Sequence, residues 1–527
     1  MKRKHLHKPK TLYGTVALLG AMVLGGMASA DIVRLKSVDG TINLEGELIS
    51  FSDDYYLMQT PLGDLRVSSS RVSCEGPGCP SIGQVEADVF IGGADTVATG
   101  LMPLLLAGFA THTDAEAQTQ STQNSGEIAT TLVGGRGFGD TIGTYMVNSG
   151  TSADAFNGLR DGSLQVGLSS RRITNEETRM LAAAGAGNMV DPDQEHIVAI
   201  DGLVLVVNPS NPVDALSIQD VADIYTGRIT NWSQLGGSNM PIEVVTQQDS
   251  GTNAVFEVGI FGDSAAPITS NSVSTSDNIA ASIYVNDNPG AIAYVGFAFK
   301  RGQKPLTLIS ECGIGTTPDA FSIKTEEYSL FRRLYMYTSA NNTDPLVEDL
   351  VDYATSSAAG NVILRSGFIG LDVEKVAQGA NGPRAQRIRN SGQSNLENRI
   401  VDSMLGNMAT MDRLSPTFRF ATGSVQLDPR GERDLERLVD YLQTVPNGTE
   451  ITFVGFADSV GAFSSNLALS EGRADRIRSA LLNRGGSALS NVTIRSTGYS
   501  EIAPAACNTS EQGRRINRRV ETWVRLP

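Results

Sequence analysis

The sequence predicts a multi-domain protein with a small N-terminal β domain, a large α/β region and a compact C-terminal α/β sandwich. Its 527 residues are enough for about three domains of ordinary size. Hydrophobic residues make up 40% of the chain and charged residues 19%, a balance typical of packed globular domains. Short alternating strands come first, strands alternating with helices fill the middle, and a βαβαβ pattern ends the chain.

The first thirty residues have the pattern of a secretory signal peptide. Five lysines and arginines lie within the first ten residues, and an apolar segment rich in Gly and Ala runs over 12–27. Ala28-Ser29-Ala30 then supplies a small-x-small cleavage pattern. An uncleaved membrane anchor is the alternative, but the apolar segment is short for a span of about 20 residues. The pattern therefore predicts a signal peptide over 1–30 and export of the chain.

Residues 31–85 are predicted to form the small β domain. The segments 41–52 and 55–60 alternate apolar with polar side chains and are separated by turn residues. Cys74 and Cys79 enclose a four-residue turn, so an oxidising compartment favours a disulfide between them. Half of a zinc site is the alternative, and it requires two further ligands. The pairing of Cys312 and Cys507 stays open at this point.

The region 86–378 alternates strands with helices. The apolar segments 89–91, 203–207 and 242–245 are each followed by a loop or a helical pattern, which predicts α/β lobes with largely parallel sheets. Gly379-Ala-Asn-Gly-Pro383 interrupts the pattern and opens a predicted linker over 379–414. The last domain is predicted over 415–527.

Composition excludes several classes of function. A net charge of −15 argues against nucleic-acid binding through general positive charge. Only four histidines occur, and only His112 and His196 lie outside the N-terminal segment, which leaves little material for a metal site or a catalytic triad. Ser250 is not within a Gly-x-Ser-x-Gly turn. We therefore expect a binding protein and not an enzyme, with no metal and no cofactor.

The C-terminal region carries ordered motifs: Phe418-Arg-Phe420, Gly455-Phe-Ala-Asp458, Asn466 to Ala474 and Asn517-Arg-Arg-Val-Glu521. This series resembles the OmpA-like domain family, whose members bind peptidoglycan through the diaminopimelate of the stem peptide. The resemblance implies that Asp458 and Arg473 hold the ammonium and the carboxylate of that zwitterion, supported by Asn466 and Arg518. The alternative is a surface ion pair between Asp458 and Arg473. The family usually has His-Thr where this chain has Phe456-Ala457.

The middle region resembles the periplasmic phosphate-binding proteins of ABC transporters. The similarity covers about 89–370 and is carried by 199–212, 224–237, Asp249-Ser-Gly-Thr252, 289–295 and Tyr328-Ser-Leu-Phe-Arg332. It implies a two-lobed α/β periplasmic-binding-protein fold whose cleft closes on its ligand by hinge motion. Asp201-Gly202 would lie near a crossing between the lobes.

The same resemblance implies an anion site in the interlobe cleft. Its predicted ligands are Thr96, Ser170, Arg171, Ser250, Gly251 and Thr252. For each Ser and Thr the alternative is a helix N-cap that needs no ligand. Thr246-Gln-Gln248 occupies the segment where familiar members carry an Arg, so Arg171 and Arg136 are the candidates for the missing cation. Arg171 has a structural salt bridge as its alternative.

Together these features predict a cell-envelope protein that binds phosphate or a similar small oxyanion and anchors to peptidoglycan. We expect it in the periplasm, associated with peptidoglycan near the outer membrane, with an ABC permease as a further candidate partner. The alternative is a wall-bound structural scaffold with a degenerate cleft that binds nothing.

Overall fold

The computed structural model describes residues 32–37, 42–52, 55–61, 63–76, 78–79, 85–122, 124, 126–247, 251–262, 266–379, 381–392, 394–420, 427 and 429–527. The predicted signal peptide and the predicted anion ligand Ser250 lie outside the described residues. Within the described ranges, no helix has the length and apolar character needed to cross a membrane.

The N-terminal strands form one antiparallel sheet, in the order β4-β3-β2-β1-β5. The strands are β1 Ile32–Lys36, β2 Asn43–Ser52, β3 Tyr55–Thr60, β4 Gly63–Ser68 and β5 Ser73–Glu75. Side chains of β1 alternate between exposed and buried, as expected for a sheet with one face on a core. Cys74 is bonded to Cys79, which confirms the predicted disulfide. Arg71 contacts Asp277 of the middle domain at 2.9 Å.

The middle domain is built from fourteen described strands and eleven described helices. Its first part holds β6 Val89–Ala94, α1 Asp95–Ala98, α2 Met102–His112, β7 Ala115–Ser121, β8 Glu127–Val133, α3 Gly134–Gly137, β9 Thr141–Gly150, α4 Ser152–Asp161, β10 Val166–Ser169, α5 Asn175–Ala183 and β11 Glu195–Val207. Its second part holds β12 Ala215–Ser217, α6 Ile218–Tyr225, β13 Glu243–Thr246, α7 Gly251–Phe261, β14 Val273–Ser274, α8 Asn278–Asp287, β15 Ala291–Gly296, β16 Lys304–Pro305, β17 Thr307–Ile309, β18 Gly315–Thr316, α9 Ala320–Lys324, β19 Phe331–Thr338, α10 Pro345–Thr355 and α11 Gly360–Ser366.

Two long strands, β11 and β19, run antiparallel through the centre of this domain. Their paired residues extend from Glu195 opposite Tyr337 to Gly202 opposite Phe331. One side of the crossing packs around α2, and the other side packs around Tyr225, Phe256 and Tyr294. The first lobe therefore comprises 85–200 and 332–370, and the second lobe comprises 201–331. This arrangement confirms the predicted two-lobed α/β fold.

The sheet differs from the predicted, largely parallel one. Parallel pairs join β6 to β9 and β10, and β13 to β14 and β15. The crossing strands are antiparallel to each other, and β7, β8 and β9 form an antiparallel meander. A run of apolar residues does not reveal the direction of a strand. A strand buried on both faces has the same apolar sequence pattern in a parallel sheet and in an antiparallel sheet.

The C-terminal domain is a five-stranded sheet in the order β20-β21-β24-β22-β23. Its elements are β20 Lys375–Val376, α12 Pro383–Arg389, α13 Asn395–Met408, β21 Asp412–Arg419, α14 Pro429–Thr444, β22 Thr449–Gly455, α15 Phe463–Gly485, β23 Val492–Gly498, α16 Glu511–Asn517 and β24 Arg519–Arg525. Helices α14 and α15 cover one face of the sheet. This architecture agrees with the predicted βαβαβ sandwich.

The segment 379–414, expected to be a linker, is packed on the C-terminal domain. Ala385 and Ile388 of α12 and Met404 of α13 are buried in one cluster with Phe456 and Trp523. Strand β20 pairs with β21, so the C-terminal sheet already begins before residue 379. The cause is the apolar face of the two helices, which covers aromatic side chains on the sheet face that α14 and α15 leave open.

The C-terminal domain contacts the second lobe through ion pairs with the buried carboxylate of Glu326. Glu326 accepts hydrogen bonds from Arg333 at 2.6 and 3.1 Å, contacts Arg430, and lies 3.5 Å from Arg419. Burial would raise the pKa of Glu326, but the charges of Arg333, Arg430 and Arg419 hold that pKa well below its usual range. A disulfide between Cys312 and Cys507 closes the same interface.

The C-terminal domain also contacts the first lobe. Arg437 of α14 donates a hydrogen bond to the carbonyl oxygen of Thr355, at 3.3 Å. Arg430 and Arg433 border a small pocket together with His196 of β11. The domain therefore bridges both lobes, on the side where α14 packs.

The disulfide across this interface generates a stability prediction. Replacing both Cys312 and Cys507 by Ser should lower the free energy of unfolding by about 5 kcal/mol, because the bond closes a loop of 195 residues. The matched control replaces Cys74 and Cys79, whose separation is 5 residues, and should cost about 2 kcal/mol. Urea titrations under oxidising conditions measure both. Equal losses in the two double variants would contradict the loop-closure account.

His196 generates a pH prediction. Burial, and next the charge of Arg433, lowers its pKa to about 4. The unfolded chain binds that proton near pH 6.5, so the unfolded state binds more protons and stability falls as the pH drops through this window. Going from pH 7 to pH 5 should cost about 2 kcal/mol.

Urea titrations at the two pH values test this expectation in variants of both described histidines. His196→Gln should remove most of the pH dependence, whereas His112→Gln, at an exposed position, should retain it. The account is wrong if both variants keep the full dependence.

Candidate functional site: the interlobe cleft and the C-terminal polar cluster

A cavity of about 850 Å³ lies where the two lobes meet. The first lobe contributes Ser152, Ser170 and Arg171, and the second lobe contributes the start of α7 at Gly251. Strand β19 contributes Arg332 and Arg333 at the crossing. Arg419, Phe420, Gln512 and Arg515 of the C-terminal domain complete the lining.

Arg332 is the buried cation of the cleft. Its Nε and Nη2 atoms donate to Asp201 Oδ2, at 3.0 and 2.7 Å, and Nη2 lies 3.5 Å from Thr252 Oγ1. Asp201 is held in turn by the backbone N–H groups of Gly202 and Phe297. Among the described residues, Arg332 Nη1 has no hydrogen-bond partner, although only 4% of the side chain is exposed. A buried guanidinium N–H without a partner calls for an acceptor, such as an anion oxygen.

Hydroxyl groups and helix N-termini also border the cavity that contains this guanidinium. Ser152 is the first residue of α4, and its Oγ accepts from the backbone N–H of Ser170 at 3.1 Å. Thr252 lies in the first turn of α7. The positive ends of two helices thus border the cleft, and both helices are long enough to carry a useful dipole. The arrangement offers several donors to an anion and needs no large net positive charge.

The structure brings together some of the predicted anion ligands. Ser170, Arg171 and Gly251 line the cavity, and Thr252 reaches it through its contact with Arg332. Thr96 is buried but is not among the lining residues, and its Oγ1 lies 3.3 Å from Asp95 Oδ1. Ser250 lies outside the described residues.

Arg171 and Arg136, the two candidate cations from the sequence, both form ion pairs with carboxylates. Arg171 donates two hydrogen bonds to Glu177, at 2.8 and 2.6 Å. This geometry agrees with the alternative interpretation of Arg171 as a structural salt-bridge partner. Arg136 is 84% exposed and pairs with Asp114 on the surface. The sequence analysis did not predict Arg332 and Ser152 as residues of the anion site. The sequence feature that could have indicated Arg332 is its position in the segment Tyr328 to Arg332, which resembles the phosphate-binding proteins and enters the strand that crosses between the lobes.

The predicted peptidoglycan-binding residues converge at the end of β22. Asp458 accepts from Arg518 Nη1 at 2.8 Å, and Asn466 donates to the carbonyl oxygen of Asp458 at 3.0 Å. Arg518 also bonds Glu511 at 2.7 Å. The resulting cluster presents carboxylates and guanidinium groups within hydrogen-bond distance of one another.

Arg473 lies on α15, beneath Phe420. Its guanidinium carbon is 5.2 Å from the centre of the Phe420 ring. Burial, and next the charge of Arg518, lowers the pKa of Arg473 to about 10, while Asp458 acts in the opposite direction. Phe420 has a second role, because it also lines the interlobe cavity. The described residues contain no group of His, Cys, Asp and Glu side chains suited to hold a metal ion.

A two-lobed fold with donors converging on an interlobe cleft defines the class of solute-binding proteins. Residues 80–358 match the model of the PBP superfamily domain, and the chain belongs to this family. The phosphate-binding protein PstS of Bacillus subtilis is 32% identical over 245 residues, which cover 46% of this chain and 75% of the relative. A solved phosphate transport receptor from Vibrio cholerae is 23% identical and aligns with 54% of this chain and 99% of its own, at a TM-score of 0.40.

Residues 419–518 match the OmpA family. Outer membrane porin F of Pseudomonas fluorescens is 34% identical over 117 residues, which span 22% of this chain and 35% of the porin. The chain therefore joins a phosphate-binding-protein-like domain to an OmpA domain, as the ordered motifs predicted. These relatives are binding proteins and OmpA-type proteins, not enzymes.

Proposed function

We propose that this chain is a cell-envelope receptor that binds phosphate or a similar small oxyanion in its interlobe cleft and is held to peptidoglycan by its OmpA domain. The observation that carries the first half is the Arg332 guanidinium, which is buried and oriented by Asp201, and whose Nη1 has no hydrogen-bond partner within the described ranges. Arg332 takes the role of the Arg that familiar members carry just before the Ser-Gly-Thr segment. The planar guanidinium group holds its N–H donors in a fixed geometry that matches the oxygens of a tetrahedral oxyanion.

The donors around Arg332 support an anion of this size. Ser152, Ser170 and Thr252 carry hydroxyl groups near the starts of α4 and α7, where the helix dipoles favour negative charge. N–H and O–H groups that converge on an anion can bind it locally, even though the whole chain carries a net charge of −15. The naming of the Bacillus subtilis relative as a phosphate-binding protein makes phosphate the first ligand to test.

The C-terminal cluster supports attachment to peptidoglycan. Asp458 supplies an anion for the ammonium of diaminopimelate, and Arg473 supplies a cation for its carboxylate, with Asn466 and Arg518 holding Asp458 in place. Attachment of this kind gives a periplasmic location close to the outer membrane. A receptor confined to the wall is suited to storage, sensing or surface capture of its ligand, whereas a shuttle to an ABC permease requires free diffusion.

The phosphate proposal is tested by calorimetric titration of the full chain with phosphate and sulfate. Arg332→Lys keeps the charge but loses the free Nη1 donor, so phosphate affinity should fall about tenfold or more. Arg171→Lys is the matched control: because Arg171 bonds Glu177, its variant should lose less than about threefold. No heat with either anion would exclude the receptor and favour a wall-bound scaffold with a degenerate cleft.

The anchoring proposal is tested by co-sedimentation with purified peptidoglycan that contains diaminopimelate. Asp458→Asn removes the anion that faces the ammonium while keeping the shape of the side chain, and should weaken binding about tenfold. The matched control is Asp440→Asn, an exposed position on α14 with the same change in charge, which should bind like the parent. If the two variants sediment alike, Asp458 does not hold the ligand.

A further inference from the structure

The cavity that contains Arg332 continues beyond the two lobes onto the C-terminal domain. Arg419, Phe420, Gln512 and Arg515 form its far wall. Its volume of about 850 Å³ lies within the range of ~300–1,000 Å³ that encloses drug-sized organic ligands. A single phosphate ion at Arg332 would leave most of this space unfilled.

This space is not simply a cleft held open by separated lobes. Ser170 belongs to the first lobe and Gly251 to the second, yet a Cβ atom added to Gly251 would lie 3.3 Å from Ser170 Oγ. The lobes are therefore already in contact at the anion-binding end. The C-terminal domain also bonds both lobes, through Glu326 and Thr355, so further hinge closure would have to break that interface.

Part of the cavity lining is apolar. Helix α7 presents Ala254, Val255 and Val258 to the cavity, whereas Phe420 of the C-terminal domain borders the cavity with only 2% of its surface exposed. Val258 is 71% exposed, although its neighbour Phe256 is fully buried. An inorganic anion gains nothing from such surfaces, whereas an organic group attached to the anion would remove them from water.

The far wall carries a cation without a partner. Six arginines and no carboxylate line the cavity among the described residues. Five of the six, all except Arg515, contact carboxylates that lie behind the lining. Arg515 is exposed and has no hydrogen bond or ion pair within the described part of the chain. The cavity lining thus offers two arginines to anionic groups, Arg332 and Arg515, together with the apolar side chains of α7.

We propose that the physiological ligand is a phosphate monoester whose organic group carries a second anionic group. The phosphate binds at Arg332, the organic group lies along the apolar side chains of α7, and the second anion contacts Arg515. This inference rests on the proposed oxyanion site and names the class of ligand that the same site takes. It also gives the OmpA domain a part in ligand recognition, because Arg515 belongs to that domain.

Calorimetric titration of the full chain with orthophosphate, phenyl phosphate and 4-carboxyphenyl phosphate tests the inference. Phenyl phosphate should bind more tightly than orthophosphate, and the added carboxylate should raise affinity about three- to tenfold further. Arg515→Gln should abolish the gain from the carboxylate and leave the affinity for phenyl phosphate unchanged. Arg476→Gln is the control, since it removes an exposed arginine of the same domain away from the cavity.

The outcomes separate this inference from the proposed function. Tight binding of orthophosphate with exclusion of both aryl phosphates would leave an oxyanion receptor and overturn the ester inference. A carboxylate gain that persists in Arg515→Gln would overturn the assignment of the far wall. If none of the three anions binds, the oxyanion site itself is refuted, and the ester inference fails with it.

Discussion

The buried carboxylate of Glu326 holds the two large domains in one arrangement. It receives Arg333 from the crossing strand of the binding domain and Arg419 and Arg430 from the OmpA domain. A buried carboxylate would be costly if it stood alone, and three guanidinium groups offset that cost only while both domains stay in place. Removing one partner would leave an unpaired charge in the interface, so this contact joins the interlobe cleft to the OmpA domain.

The consequence of this arrangement is a shared surface between the two domains. Arg333 is the neighbour of Arg332 on β19, and Arg419 is the neighbour of Phe420 at the end of β21. The same ion cluster therefore fixes the backbone on both sides of the cavity. Phe420 in turn lies over Arg473, so one residue contacts both the interlobe cavity and the polar cluster around Asp458.

Local patterns predicted much of this molecule. The five-residue spacing of Cys74 and Cys79 was sufficient for their disulfide, and ordered motifs were sufficient for both domain families. The choice of cation was not predictable in this way. Glu177 is six residues from Arg171 and binds it, whereas Asp201 is 131 residues from Arg332, and one N–H group of Arg332 has no partner among the described residues. Which arginine stays available depends on carboxylates that only the fold brings near.

The sequence by itself determined the domain order, the two-lobed class and the C-terminal sandwich, because short ordered segments carry the pattern of each; the assignment of Asp458, Asn466, Arg473 and Arg518 to peptidoglycan binding stays a prediction. The tertiary structure alone decided how the domains meet. The bond between Cys312 and Cys507, the packing of 379–414 on the C-terminal sheet and the arginines around Glu326 all join residues far apart in the chain. Such pairings follow from the packing of whole surfaces, and no local spacing encodes them.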